Sequence, residues 1–321
     1  MKVGILAYDG CTPSMIAGVL DILSFANGNY QAKKKEDLFD VSIITENGRP
    51  ANGFSKFPIQ AQRSIKTKSD FDLIYIPGFV GDLDEILFQQ KKLIDWVKKQ
   101  YKSGVTLAAA CNGNFLLAET GALDNKKATT HWSLVKTFKQ RYEKITVEPE
   151  KIVIDNGPVL SAAGVTAYFN LAILLVERYG SKDLALASAK VFLVDSGRKI
   201  QTPYQMFHVT KNHGDDEIVQ VQEWMEANYS KTITLDNMTQ ICNLTKKTLM
   251  RRFKNVTGDS PTTYLQKLRV ENAKRMLESK KVAFNEITWR VGYNDISFFH
   301  KVFKSETGLT PIEYRSKFSI I

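Results

Sequence analysis

Cys111 is the residue whose type and setting most invite chemistry. It follows the apolar run 105–110 and precedes Asn112-Gly113-Asn114-Phe115-Leu116-Leu117, the pattern of a sharp strand-to-helix turn. A helix N-terminus beside a thiol favours the thiolate, so a lowered pKa and a nucleophile's elbow are expected here. Nucleophilic catalysis also requires a base within reach and an acid to orient it. Asn112 accepts no proton, and the spacing to His131, in Thr129-Thr130-His131-Trp132, does not by itself bring that ring to Cys111. Cys111 therefore reads first as part of a ligand pocket, next as a structural relic, and last as an active nucleophile. Trp132 and Tyr8 are further candidates for the pocket wall, although aromatics near a sheet end more often belong to the core. The other cysteines, Cys11 and Cys242, lie too far off in sequence for a disulfide framework, and Cys242 reads as a small core residue. Four histidines (His131, His208, His213, His300) lack metal-ligand spacing, so no metal or other cofactor is expected.

A second kind of chemistry is carried by charge. The 321 residues hold 44 Lys+Arg against 34 Asp+Glu, a net charge of +10. Residues 1–214 carry +6, residues 215–245 carry −5 and residues 246–321 carry +9. A basic block alone is often just solvated surface. It points to a polyanion only when an element displays the charge toward phosphates.

Such elements come from an internal repeat. Phe253-Lys254, Thr257-Gly258, Pro261 and Tyr264 recur 50 residues later as Phe303-Lys304, Thr307-Gly308, Pro311 and Tyr314. Each copy reads as helix, tight turn, helix. In the first, Leu235, Met238, Ile241 and Cys242 share a buried face, Asn243-Leu244 turn the chain and Thr245 caps the next helix at its core pair Leu249 and Phe253. In the second, Ile287 and Val291 are buried, Gly292 makes the turn, Asn294 or Asp295 caps, and Phe299 and Phe303 are the core pair. The outward faces of the two second helices then carry Lys246, Lys247, Met250, Arg251 and Lys254, and Ile296, Ser297, His300, Lys301 and Lys304. A basic helix braced by a first helix suits the major groove, where Arg pairs with the O6/N7 edge of guanine and Lys reaches phosphate. Residues 265–277 form one amphipathic helix between the copies.

Residues from about 215 to 318 thereby resemble the DNA-binding domain of AraC/XylS-type transcriptional regulators. The likeness rests on Leu268-Arg269, Ala273-Lys274 and Leu277, on Ile287, Val291-Gly292-Tyr293, Phe298-Phe299 and Phe303-Lys304, and on Gly308, Pro311 and Tyr314-Arg315. It implies an all-α domain with two recognition helices that enter successive major grooves. Lys301 stands where that family often has Arg.

Before residue 200, short apolar runs (3–8, 41–45, 73–76, 106–110) alternate with helical stretches (14–26, 83–101, 132–141, 166–179, 184–192). This predicts an α/β domain of flavodoxin-like type, a mainly parallel sheet with helices on both faces. Ligands in such sheets sit at the carboxyl ends of the strands, here the loops 9–14, 77–82 and 110–114. The run Lys33-Lys34-Lys35-Glu36-Asp37 reads as a solvated loop, and residues 201–214, without periodicity, as a linker. Residues 1–195 resemble the PfpI/ThiJ-type, glutamine-amidotransferase-like superfamily through 71–78 (Phe-Asp-Leu-Ile-Tyr-Ile-Pro-Gly), 110–113, 117–123 and 161–164. Together with 129–132, the last of these is similar to GlxA-type regulators, which fuse this domain to an AraC-type one. Catalytic members place His after the Cys and an acid in the first strand–helix loop. This chain has Asn112 and Cys11-Thr12-Pro13-Ser14.

The domain plan expected is therefore 1–200 for effector binding and dimerisation, 201–214 as linker and 215–321 for DNA binding. Cys111, Asn112, Gly78, Pro13, His131 and Trp132 are the candidate ligand-binding residues, and no catalytic set is assigned. The function read from this is a ligand-responsive transcriptional regulator, taken as an activator. Its expected partners are double-stranded DNA, a small metabolite such as an amino acid or amine, a second copy of the chain, and RNA polymerase. The alternative is a cysteine-dependent amidase or hydratase with an accessory DNA-binding domain. No apolar run approaches the ~18 residues that span a bilayer, and the N-terminal apolar stretch ends at Asp9-Gly10, too soon for a signal peptide, so a cytoplasmic protein is expected.

Overall fold

The computed structural model describes residues 1–34, 36–68, 70–195, 197–207, 209–279 and 282–319, so Lys35 and His208 lie outside the described residues. Two compact units divide the chain, Met1–Gln201 and Thr202–Ile321.

The first unit is built on a seven-stranded sheet. Its strands run Val153–Asp155, Val159–Ala162, Thr106–Ala110, Leu73–Ile76, Lys2–Leu6, Asp40–Thr45 and Arg63–Ser64 in spatial order. All neighbouring pairs are parallel except the first, an antiparallel edge. Successive side chains of a strand point to opposite faces, and all four residues of Leu73–Ile76 are buried, so both faces are covered. Helices Pro13–Lys34, Ala167–Tyr179 and Lys182–Val191 pack on one another, and Lys91–Lys102 packs with Leu83–Gln89 and Gly113–Glu119. The alanines of Thr106–Ala110 are fully buried, and their small side chains admit Gly113–Glu119 and Ala167–Tyr179 close to that strand.

Three local differences from the sequence reading have physical causes. The stretch 83–101 is two helices, Leu83–Gln89 and Lys91–Lys102, because Gln90 sits at φ −91°, ψ 13° between them. The first helix runs to Lys34, so Lys33 and Lys34 end a helix rather than begin a loop. The strand Val159–Ala162, just four residues long and flanked by a Gly-Pro turn, carried too little periodicity to be read.

The second unit is all-helical: Asp216–Asn228, Leu235–Cys242, Lys246–Thr257, Pro261–Ser279, Phe284–Arg290, Ile296–Thr307 and Pro311–Phe318. It has two small cores, one around Ile218, Met225, Met238, Leu249 and Phe253, the other around Ile287, Val291, Phe299 and Phe303. The helix Pro261–Ser279 serves both, giving Tyr264, Leu265 and Leu268 to the first and Val270, Ala273 and Leu277 to the second. The repeated residues do the same work in each half. Phe253 meets Tyr264 edge to face at 5.1 Å, as Phe303 meets Tyr314 at 5.4 Å. Thr257 Oγ1 donates to Phe253 O at 2.7 Å and Thr307 Oγ1 to Phe303 O at 2.8 Å, and Gly258 and Gly308 end the two helices in the left-handed region. Ile241, expected on the buried face of its helix, is exposed.

Candidate functional site

Each reading helix is fixed at its first turn. Thr245 Oγ1 accepts from Thr248 N, and Asp295, the expected alternative to Asn294, accepts from Phe298 N at 2.9 Å. Asn243 (φ +50°) and Gly292 (φ +85°) make the turns that precede them. Leu249 and Phe253 anchor the first helix and Phe299, Val302 and Phe303 the second, which rotates the opposite faces outward. Lys246, Lys247, Met250, Arg251 and Lys254 are all exposed, and Lys246 Nζ pairs with Asp236 at 2.7 Å. On the second helix Ser297, Lys301 and Lys304 are exposed, while Ile296 and His300 are half-buried and His300 stands edge-on to the ring of Phe284 at 6.0 Å.

The neighbouring arginines divide their labour. Arg251 has no partner among the described residues, whereas Arg252 donates to Asp215 (2.6 and 2.9 Å) and Glu217 (2.8 Å), which ties its helix to Asp216–Asn228. Those bonds to Arg252 hold the Asp215 carboxyl below the usual carboxylate range. Phe298 is 54% exposed beside Ser297 and was not among the expected outward residues. The signal was present: only Phe299 of the Phe298-Phe299 pair is four residues from Phe303, which leaves Phe298 to point away from the core.

The stretch 202–207 is packed rather than free. Tyr204 meets Phe318 at 5.2 Å, Phe207 meets Tyr264 at 5.0 Å, Phe207 N donates to Glu271 Oε2 at 3.2 Å, and the buried Lys274 donates to Gln205 O. It thus seats on the helix that serves both motifs.

In the first unit, the loops at the carboxyl ends of three strands meet. Cys11 bridges Phe79, Thr12 N donates to Gly78 O at 2.8 Å, and Tyr8 Oη donates to Pro77 O at 2.6 Å. Asn112 binds Phe79 both ways, its Oδ1 accepting from Phe79 N and its Nδ2 donating to Phe79 O, each at 2.8 Å. Gly78 is required here, since a Cβ would lie 2.7 Å from Asn112 Oδ1 and 3.2 Å from Cys111 Cβ. Pro13 packs beside Gly53 at the edge of the same loops. The structure therefore brings Cys111, Asn112 and Gly78 together.

Cys111 has φ +58°, the strained elbow expected of it. Its thiol does not follow the expectation of a lowered pKa: burial pushes it up to about 11. The following helix, Gly113–Glu119, has only seven residues, and Cys111 itself is 8% exposed, so desolvation outweighs the helix end. His131 holds Ser133 Oγ at 2.7 Å through Nδ1 and stacks obliquely on Trp132 at 5.1 Å. Among the described residues no hydrogen bond joins His131 to Cys111. The residue before His131 makes the contact instead, Thr130 Oγ1 donating to Cys111 O at 2.9 Å.

Gln201 completes this cluster and was read only as the start of a linker. It is 3% exposed; its Nε2 donates to Thr130 O (2.9 Å) and Pro149 O (2.8 Å), and its Oε1 accepts from Trp132 N (3.1 Å). Burying a free amide is costly, so these bonds hold the end of the unit in place. Among the described residues no helix is long and apolar enough to cross a membrane, and no group of three or more His, Cys, Asp or Glu is placed to hold a metal ion.

Residues 238–317 match the helix-turn-helix domain family and residues 29–178 the DJ-1/PfpI family. The chain is 24% identical over 282 residues to the HTH-type transcriptional regulator CdhR of Pseudomonas aeruginosa, covering 87% of this chain and 82% of that one. To the HTH-type transcriptional regulator GlxA of Rhizobium meliloti it is 22% identical over 223 residues, 69% and 68% of the two chains. The crystal structure of an AraC family transcriptional regulator from Pseudomonas putida superposes with a TM-score of 0.52 at 18% identity, over 60% of this chain and 98% of that one, and shares the fold. A mainly parallel α/β domain of DJ-1/PfpI type joined to paired helix-turn-helix motifs defines a DNA-binding transcriptional regulator. Within that class the chain is similar to the GlxA-type regulators.

Proposed function

We propose that this regulator reads promoter half-sites with both motifs and answers to a small metabolite bound in the first unit. The observation that carries the reading is the pairing of two reading helices, capped and stopped alike, on one helix that belongs to both cores. Lys246, Lys247, Met250, Arg251 and Lys254 serve one groove; Ile296, Ser297, His300, Lys301 and Lys304, with Phe298, serve the next. The effector contacts the loops around Cys111, Asn112, Gly78, Pro13, His131 and Trp132. Amino acids and small amines are the class to try first. Dimerisation through residues 1–200, contact with RNA polymerase and a cytoplasmic location complete the reading.

An effector acts only if it binds one conformation of the protein better than another. Gln201 is suited to pass that preference on. Its side chain is tied to Thr130 and Trp132, and the next residues, 202–207, seat on the helix that serves both motifs. The amidase or hydratase reading finds less support, because the Cys111 thiol is held protonated and His131 is bonded to Ser133. A footprint on promoter DNA with the full chain, repeated across amino acids and amines, tests the proposal. Protection that no compound alters would remove the sensing half of it, and absence of sequence-dependent protection would remove the whole.

A further inference from the structure

Apart from the Cys111 cluster, a cavity of about 410 Å³ opens at the carboxyl ends of strands Lys2–Leu6 and Asp40–Thr45. We propose that it is a second small-molecule site, for a compound bearing a carboxylate and a neighbouring hydroxyl or amide. This is independent of where the effector binds. The volume is in the range of small-ligand sites.

The engaged and unengaged groups of its lining identify the chemistry. Of the two acids, Glu46 pairs with Lys92 Nζ at 3.0 Å, and Asp9 Oδ1 accepts from Asn52 N at 2.7 Å while its charge has no cation partner among the described residues. Arg49 is different. Its backbone is pinned, N donating to Asn47 Oδ1 at 2.8 Å and O accepting from Thr45 Oγ1 at 2.9 Å, yet its guanidinium has no partner among the described residues. Gln90 is different too. It is 8% exposed, its backbone is held in place by bonds to Ile86 and Ile94, and its side-chain amide makes no hydrogen bond among the described residues. The amide thus keeps unused donors and an acceptor on the wall of the cavity, where a ligand can engage them. The guanidinium fork matches a planar carboxylate, and the Gln90 amide takes a hydroxyl or amide further along the compound. Asp9 and Glu46 on the rim disfavour a doubly charged phosphate. Tyr8 is a wall shared with the Cys111 cluster, its hydroxyl turned to Pro77 O.

The test uses the full-length chain in a thermal-shift titration with acetate, glycolate, lactate, succinate and inorganic phosphate, each against sodium chloride at equal ionic strength. Glycolate or lactate is expected to raise the midpoint saturably and phosphate to do less. Arg49→Ala, on the surface and safe for folding, should weaken that binding by at least about tenfold, Arg49→Lys should restore it only in part, and Gln90→Leu should reduce the preference for glycolate over acetate. The proposal is overturned if none of the carboxylates shifts the midpoint, if the shift survives unchanged in Arg49→Ala, or if phosphate binds more tightly than all of them.

Discussion

The guanidinium of Arg269 lies 5.0 Å from the ring centroid of Tyr293, which joins the helix shared by the two motifs to the turn of the second. The same side chain donates from Nε to Tyr229 O at 2.8 Å and from Nη2 to Lys231 O at 2.7 Å, in the connection that leads into the first motif. Gly292 closes the arrangement, because a Cβ there would fall 2.7 Å from Ser230 O and 2.9 Å from Arg269 Nη2. One buried cation thus sets the first motif against the second. Arg269→Ala leaves two carbonyls unpaired and is expected to cost about 2–4 kcal/mol of stability, read by urea denaturation. It should also weaken binding to a two-groove site more than to a single half-site; an equal loss at both would contradict the joint.

Arg251 and Arg252 are adjacent and should fail differently. Arg251→Ala removes an exposed reading side chain, with an expected loss of about 1–3 kcal/mol in specific DNA binding and relaxed preference at one base pair. Arg252→Ala breaks the ties to Asp215 and Glu217 and should lower the thermal midpoint while leaving base preference unchanged. Selection from a random duplex library, alongside a melting curve, separates the two. Exchanged phenotypes would reverse the facing of this helix.

Cys111 is expected to be a slow thiol at neutral pH. Peptide-resolved alkylation with iodoacetamide should accelerate only as pH rises toward about 11, where the buried group ionises. The sign for stability is opposite. The folded-state value is raised, so the contribution of the neutral thiol is complete below the ordinary thiol value. It fades as pH climbs toward about 11, because the unfolded chain gives up its proton first. Cys111→Ser should retain DNA binding. Fast alkylation at pH 7 would instead restore the nucleophile, and with it the enzyme reading.

Gln201→Ala removes four-way bonding around Thr129, Thr130, Trp132 and Pro149. Faster hydrogen exchange at 129–132 is expected, with DNA affinity of the ligand-free chain unchanged and any effector-dependent change in a footprint diminished. Undisturbed exchange there would show that Gln201 does not hold this segment.

Much of this was legible in the chain. The recurrence of Phe253, Thr257, Gly258 and Tyr264 at 303, 307, 308 and 314 is a local signal of caps, stops and core pairs, and the helical period then assigns Arg251 outward. The elbow at Cys111 was equally visible, since a strand, a turn and a helix follow one another in sequence. What was not legible depends on groups far away along the chain. The thiol's raised pKa comes from burial, and Gly78, Thr130 and Ala162, which meet Cys111 in the fold, are brought to residue 111 by no local pattern. The anchoring of Gln201 by residues about 50 and 70 positions earlier is of the same kind, as is the seating of 202–207. Irregular segments carry no period, so their packing leaves no trace in hydrophobic spacing.

The central claim is that both motifs read DNA together on one shared helix. It is tested most directly by hydroxyl-radical footprinting of the full-length chain on a duplex recovered by selection. Two protected major-groove segments about one helical turn, ~10 base pairs, apart on one face of the DNA are predicted, the second lost when Lys301 and Lys304 are both changed to Ala. A single protected segment that these changes leave intact would contradict it.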